Sequence, residues 1–184
     1  MKILAVCGSP RQRGNTNYLV GEALKAASAE CIETEKISLG RYKVGPCLAC
    51  KNCAGLSACV VKDDGGMILE KLLAADGIIF ATPVYFYNVS AQLKALIDRC
   101  HFLYSHDLKP RAKTLGFIVV AGEFGVEDAL HALYGFNEIT FGLPKRAVFS
   151  VGGVALEAGE VKNSRTLVEQ ARLLGQKMAN ILKK

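Results

Sequence analysis

Apolar positions along the chain follow two alternating rhythms. Short runs at residues 2–7, 32–38, 77–82, 114–121 and 147–151 read as five strands. The third and fourth runs are apolar almost throughout, as strands buried on both faces are. Between them lie stripes spaced by three, four and seven: Leu19, Ala23 and Ala27, then Leu93, Leu96, Ile97 and Cys100. The longest, Leu167, Ala171, Leu174, Met178 and Ile181, predicts a closing helix that packs on the sheet. Such alternation predicts an α/β fold, a doubly wound five-stranded parallel sheet in the order 2-1-3-4-5. With 184 residues, 51% of them hydrophobic, the chain is expected to build one domain over residues 1–184.

One stretch breaks the rhythm. Residues 39–64 show neither period, and within them residues 45–64 form a cysteine-rich insertion loop. A structureless segment of this length inside a compact domain is functional or disordered, and its four cysteines favour function. The chain has seven cysteines, an odd number, with no export signal. Reduced thiols or metal ligands are therefore expected, and a cytoplasmic setting. The net charge of +6 is spread along the chain without a basic block. It favours anionic small molecules and acidic partners and gives no nucleic-acid footprint; no segment reads as a membrane span.

The first strand runs into Gly8-Ser9-Pro10-Arg11-Gln12-Arg13-Gly14-Asn15-Thr16-Asn17 and then a helix. The hydroxyls of Ser9 and Thr16, the amides of Asn15 and Asn17, and the free N–H groups of a helix start are donors for a phosphate, with Arg11 supplying charge. The spacing is not Gly-x-Gly-x-x-Gly, and Gly14 is followed by Asn15 where a nucleotide hydrolase has lysine. A phosphate monoester fits best; a polar turn with Asn15 or Thr16 as helix cap is the plainer alternative.

With a second loop, Thr82-Pro83-Val84-Tyr85-Phe86-Tyr87-Asn88-Val89-Ser90, followed by Leu93-Lys94-Ala95-Leu96-Ile97-Asp98-Arg99, the sequence resembles the flavodoxin-like NADPH-dependent FMN reductases. The resemblance runs on specific motifs from Met1 to about Arg99. It implies that Ser9, Arg11, Asn15, Thr16 and Asn17 hold the FMN phosphate. Pro83, Val84, Tyr85, Phe86 and Asn88 would border the ring, with Gly122 and Gly125 of a third loop beside it. The two matched loops leave the first and third strands, between which the strand order reverses, so they should converge on one ligand. The aromatic group Tyr85, Phe86 and Tyr87 suits ring stacking as well as it suits a dimer interface or a core patch.

Cys47, Cys50, Cys53 and Cys59 form C-x2-C-x2-C-x5-C. Structural zinc more often uses two separated pairs, whereas a C-x2-C-x2-C run matches the ferredoxin manner of wrapping a cubane cluster. A 4Fe-4S cluster is the expectation; zinc and a metal-free loop are the alternatives. The spacing is also similar to that of the iron-sulfur flavoproteins, a branch of the same family. This resemblance implies an FMN-dependent oxidoreductase in which the cluster relays electrons, with NAD(P)H as co-substrate or a ferredoxin-like protein as donor, assembled as a homodimer or homotetramer. A metal-free quinone, nitro or flavin reductase and a non-enzymatic electron carrier or redox sensor are the competing readings. Cluster and flavin are expected on one rim of the sheet.

No dedicated acid or base is expected, because the cofactor carries the chemistry. Cys7, Cys31 and Cys100 read as small buried thiols, and His101, His106 and His131 as solvated or hydrogen-bonded. Asp63 and Asp64 read as a helix start, and Asp98 with Arg99 as an interface pair.

Overall fold

The computed structural model describes residues 1–51 and 53–184. Strands β1 (Lys2–Cys7), β2 (Glu33–Ser38), β3 (Gly77–Tyr85), β5 (Thr114–Ala121) and β6 (Val148–Val154) pair in parallel in the order β2-β1-β3-β5-β6. This is the expected 2-1-3-4-5 arrangement of a doubly wound sheet. The unexpected addition is β4 (Asn88–Val89), which folds back antiparallel on the end of β3, pairing Val84 with Val89 and Tyr85 with Asn88. Strand β3 therefore runs three residues beyond the expected run, and β6 extends to Val154 because it pairs along β5 as far as Ala121.

Helices α1 (Asn15–Ala29), α2 (Gly65–Ala74), α3 (Ala91–Arg99), α4 (His101–Ser105), α5 (Val126–Thr140) and α6 (Arg165–Leu182) make the crossovers and the closing element. Alternate strand residues point to opposite faces, and two cores result. Leu4, Val6, Phe80, Phe117 and Val119 face α2, α3 and α5 through Ile68, Leu72, Leu93, Leu96 and Leu133. Ile3, Ala5, Ile79, Ala81 and Ile118 face α1 and α6 through Leu19, Ala23, Ala171, Leu174 and Met178. The edge strand β2 is more polar, and Glu35 on it is bonded to Lys2 and Lys71, which hold its carboxyl below the usual carboxylate range. Among the described residues, no helix is long and apolar enough to cross a membrane.

Helices α1 and α6 cross in close contact. Gly175 lies so near the backbone of α1 that a Cβ there would stand 2.0 Å from the Ala23 carbonyl oxygen. Beside it, Arg172 donates to Glu22 at 2.6 and 2.8 Å. Gly175→Ala should therefore destabilise the fold by about 1–3 kcal/mol through overpacking, despite alanine's better helix propensity. Gly21→Ala, where nothing lies within 4 Å, should instead stabilise by about 0.5–1 kcal/mol. Urea denaturation of the two variants checks both signs.

Candidate cofactor cleft and cysteine loop

Parallel strands deliver their ends to one rim, and there the loops after β1, β3, β5 and β6 enclose a cleft of about 190 Å³. One wall is Ser9, Arg11, Gly14, Asn15 and Thr16; the second is Pro83, Val84 and Tyr85. Val120, Ala121 and Gly122 form the third, and Ala155, Leu156 and Ala158 the fourth. The volume falls below the range of about 300–1,000 Å³ usual for a pocket that encloses its ligand, so a nucleotide seated here keeps part of itself outside these walls.

The loop between β1 and α1 has the chemistry to receive an anion. Gly14 occupies the N-cap position of α1 and offers no side-chain cap, so the first N–H groups of a fifteen-residue helix stay open to a ligand. This settles against Asn15 or Thr16 as the cap. A Cβ on Gly14 would meet the Arg11 carbonyl at 3.2 Å and the Ser9 hydroxyl at 3.4 Å, which shows how closely the loop curls around that point. Ser9 and Thr16 are nearly buried yet line the cleft, and exposed Arg11 brings charge to its mouth. This donor set fits a phosphate monoester.

The two asparagines serve differently. The Asn15 side-chain amide donates to the carbonyls of Ala155 (3.0 Å) and Glu157 (2.8 Å), and its oxygen accepts from the N–H groups of Gly159 (2.8 Å) and Val161 (3.3 Å). It fixes the connection after β6 against the phosphate loop. Asn17 donates to the Arg11 carbonyl at 2.9 Å and accepts from Ser38 at 3.3 Å; it lies outside the cleft and braces the loop from behind. Ser90 adds another tie. It caps α3 at the Leu93 N–H and donates to the Gly8 carbonyl at 2.8 Å, while Gly8 N–H donates to Ala81 at 2.7 Å.

Three other expected ring neighbours also stand outside the lining: Phe86, Asn88 and Gly125. Phe86 and Tyr87 form the two-residue turn of the β3–β4 hairpin, both with left-handed backbone (φ 48° and 61°), where glycine or asparagine is usual. Each costs roughly 1–2 kcal/mol in that conformation. Phe86 is fully exposed at the tip. Asn88 bonds the next N–H, at 2.8 Å to Val89. Gly125, at φ 88°, packs under the turn, and a Cβ there would meet Tyr87 Cα at 2.9 Å. Residues 155–158 were not anticipated as a wall, since Ala-Leu-Glu-Ala carries no ligand-binding pattern.

The cysteine segment starts at the same rim, as expected: Arg41 donates to Gln12 of the phosphate loop at 2.8 Å. It then descends along α3 and α4, and none of its residues lines the cleft. All four thiols are free and at least partly exposed. Burial pushes the Cys53 thiol up, and charge on Cys59, Cys50 and Cys47 pushes it further, so the other three sulfurs lie near it. The Ala49 N–H points at Cys47 Sγ at 3.5 Å, and left-handed backbone at Ala49 and Lys51 reverses the chain between cysteines. Among the described residues, no three His, Cys, Asp or Glu side chains meet in ligating geometry. The fit to a thiolate-bound centre rests on the donor chemistry and on this mutual proximity.

The other cysteines and polar residues correct several expectations. Cys7 and Cys100 are buried, and burial pushes their thiols up to about 11 and about 12; Cys31 is exposed, at the turn after α1. His106 sits between the carbonyls of Phe102 and Leu56, 2.8 Å from each, and His101 bonds Ser105. Asp98 and Arg99 are no pair: Asp98 bonds Lys94 at 2.6 Å, whereas Arg99 is buried against Asp63 at 2.9 Å.

The family model described as NADPH-dependent FMN reductase matches residues 1–154. An iron-sulfur flavoprotein of Methanocaldococcus jannaschii, MJ1083, is 40% identical over 190 residues, covering 100% of this chain and 98% of the relative. That of Methanosarcina thermophila is 38% identical, covering 76% and 74%. An archaeal flavodoxin, 14% identical, superposes with a TM-score of 0.64 over the whole of both chains, which shows the flavodoxin-like fold. The chain thus belongs to the NADPH-dependent FMN reductase family, in its iron-sulfur flavoprotein branch.

Proposed function

We propose that the protein is an FMN-dependent oxidoreductase with a 4Fe-4S cluster on Cys47, Cys50, Cys53 and Cys59 that relays electrons to or from the flavin. The observation that carries the reading is the open start of α1, with Ser9, Arg11 and Thr16 around it, at the switch point between β1 and β3. In this reading the phosphate sits on the helix N–H groups and Arg11, and the backbone of Pro83–Tyr85 and Ala121–Gly122 flanks the ring. Bound there, FMN supplies exchange of a hydride or of single electrons, and the chain's task is to bind, orient and shield. Electrons would come from NAD(P)H or a ferredoxin-like donor, in the cytoplasm.

The small cleft and the exposed aromatic turn support a homodimer or homotetramer, in which a neighbouring chain covers the part of the flavin that these walls leave open. Because the cysteine loop lies along α3 and α4, away from the cleft lining, such an assembly also offers the relay a route between subunits. A second reading, a metal-free NAD(P)H-dependent quinone, nitro or flavin reductase, draws on the absence of ligating geometry among the described thiols.

Arg11→Ala should weaken FMN binding by about 1.5–3 kcal/mol, the worth of a hydrogen bond to a charged group; an unchanged affinity in a fluorescence titration would remove the phosphate loop from the site. Asn15→Asp replaces two donors by a charge facing two carbonyls. It should lower thermal stability and loosen residues 155–161 against hydrogen exchange, a pattern that Thr16→Val should not reproduce. Protein purified without oxygen should contain about four iron and four sulfide per chain, as the cluster requires. Contents near zero together with steady NADPH–quinone turnover would establish the metal-free reductase instead.

A further inference from the structure

Arg99 ends α3, and its side chain is 1% exposed. A guanidinium taken out of water needs compensation, and every partner it has comes from one region. It donates to Asp63 Oδ1 and Oδ2 at 3.1 and 2.9 Å, to the Gly45 carbonyl at 3.3 Å and to the Val61 carbonyl at 3.3 Å. Asp63 in turn accepts from the N–H groups of Gly45 (2.7 Å) and Gly65 (2.9 Å). Its carboxyl is held below the usual range by these bonds against the opposing effect of burial. Next to it, Lys43 and Asp64 exchange two more hydrogen bonds, at 2.7 and 2.9 Å.

The loop groups among these partners lie at the two ends of the cysteine segment, outside the span from Cys47 to Cys59 that carries the thiols. Gly45 enters the segment, Val61 and Asp63 leave it, and one buried cation binds both sides. Space is kept for that cation: a Cβ on Gly65 would meet Arg99 Nη2 at 3.2 Å. Among the described residues, Arg99 Nε has no acceptor, a loss that a residue chosen only to fill the core would not incur, since leucine fills the same space without it. The flavin cleft, by contrast, shares no residue with this network.

We infer that the buried Arg99–Asp63 pair is a clasp that closes the neck of the cysteine loop and sets the spacing of the four thiols, making Arg99 a positioning residue for the centre they hold. The inference rests on the cluster reading above for its consequence and on the neck geometry for its existence. A loop of this length has many shapes, and fixing its two ends together removes most of them before any ligand arrives. Arginine suits the role and lysine does not, because only the planar fork reaches a carboxylate and two separate carbonyls at once.

The test compares the wild-type chain with Arg99→Lys, which keeps the charge, and with the double variant Arg99→Met/Asp63→Asn, which leaves no lone buried charge. All are purified without oxygen. Both variants should retain wild-type FMN content but release iron to a chelator about tenfold faster or more, as expected when a locally closed segment opens more readily. Iron release at the wild-type rate in both would overturn the clasp, and so would loss of FMN and of the folded circular-dichroism signal in parallel with iron, which marks a general core residue. If wild-type protein holds no iron, the cluster reading falls and the clasp is judged separately by trypsin cleavage after Lys51. That cleavage should be about tenfold faster in both variants, and equal rates would overturn it.

Discussion

A parallel strand cannot pass the chain to its neighbour through a tight turn. It needs a crossover, and every crossover of this sheet starts at the same rim. Since β1, β3, β5 and β6 are covered on both faces, the rim is where their loops can meet a ligand. Four loops far apart in sequence converge there, and few bonds join them, among them Gly8 to Ala81, Ser90 to Gly8, Ala155 to Ala121, and Asn15 to residues 155–161. The cleft is a by-product of strand polarity, its loops tied together by the side chains of Ser90 and Asn15.

The cysteine loop obeys a different constraint. It has no sheet to hold it, and it hangs from helices through one buried ion pair and a histidine bridging two carbonyls. Cleft and loop thus rest mainly on different supports, strand ends for the one and α3 and α4 for the other. A fold arranged in this way can alter the loop while leaving most of the cleft as it is.

The elements that periodicity made plain are those where packing dominates. Residues 114–121 are apolar on both faces and form β5 without a shift at either end. The hairpin was hidden because its turn is Phe86-Tyr87, where sequence rules expect glycine or asparagine. In the phosphate loop, donor-rich chemistry was visible, but composition does not say where a donor points. Asn15 and Asn17 resemble ligand groups and are used as internal braces. Arg99 follows Leu96 by three, which places it on the buried stripe of α3; a cation there signals a partner inside the fold, and that partner, Asp63, is 36 residues away.

Asn15 carries a consequence for motion. One primary amide rivets segments about 140 residues apart, using both its N–H groups and accepting twice at its oxygen. The two lips it joins cannot drift independently. Whatever enters or leaves the cleft on that side meets a single stiff edge.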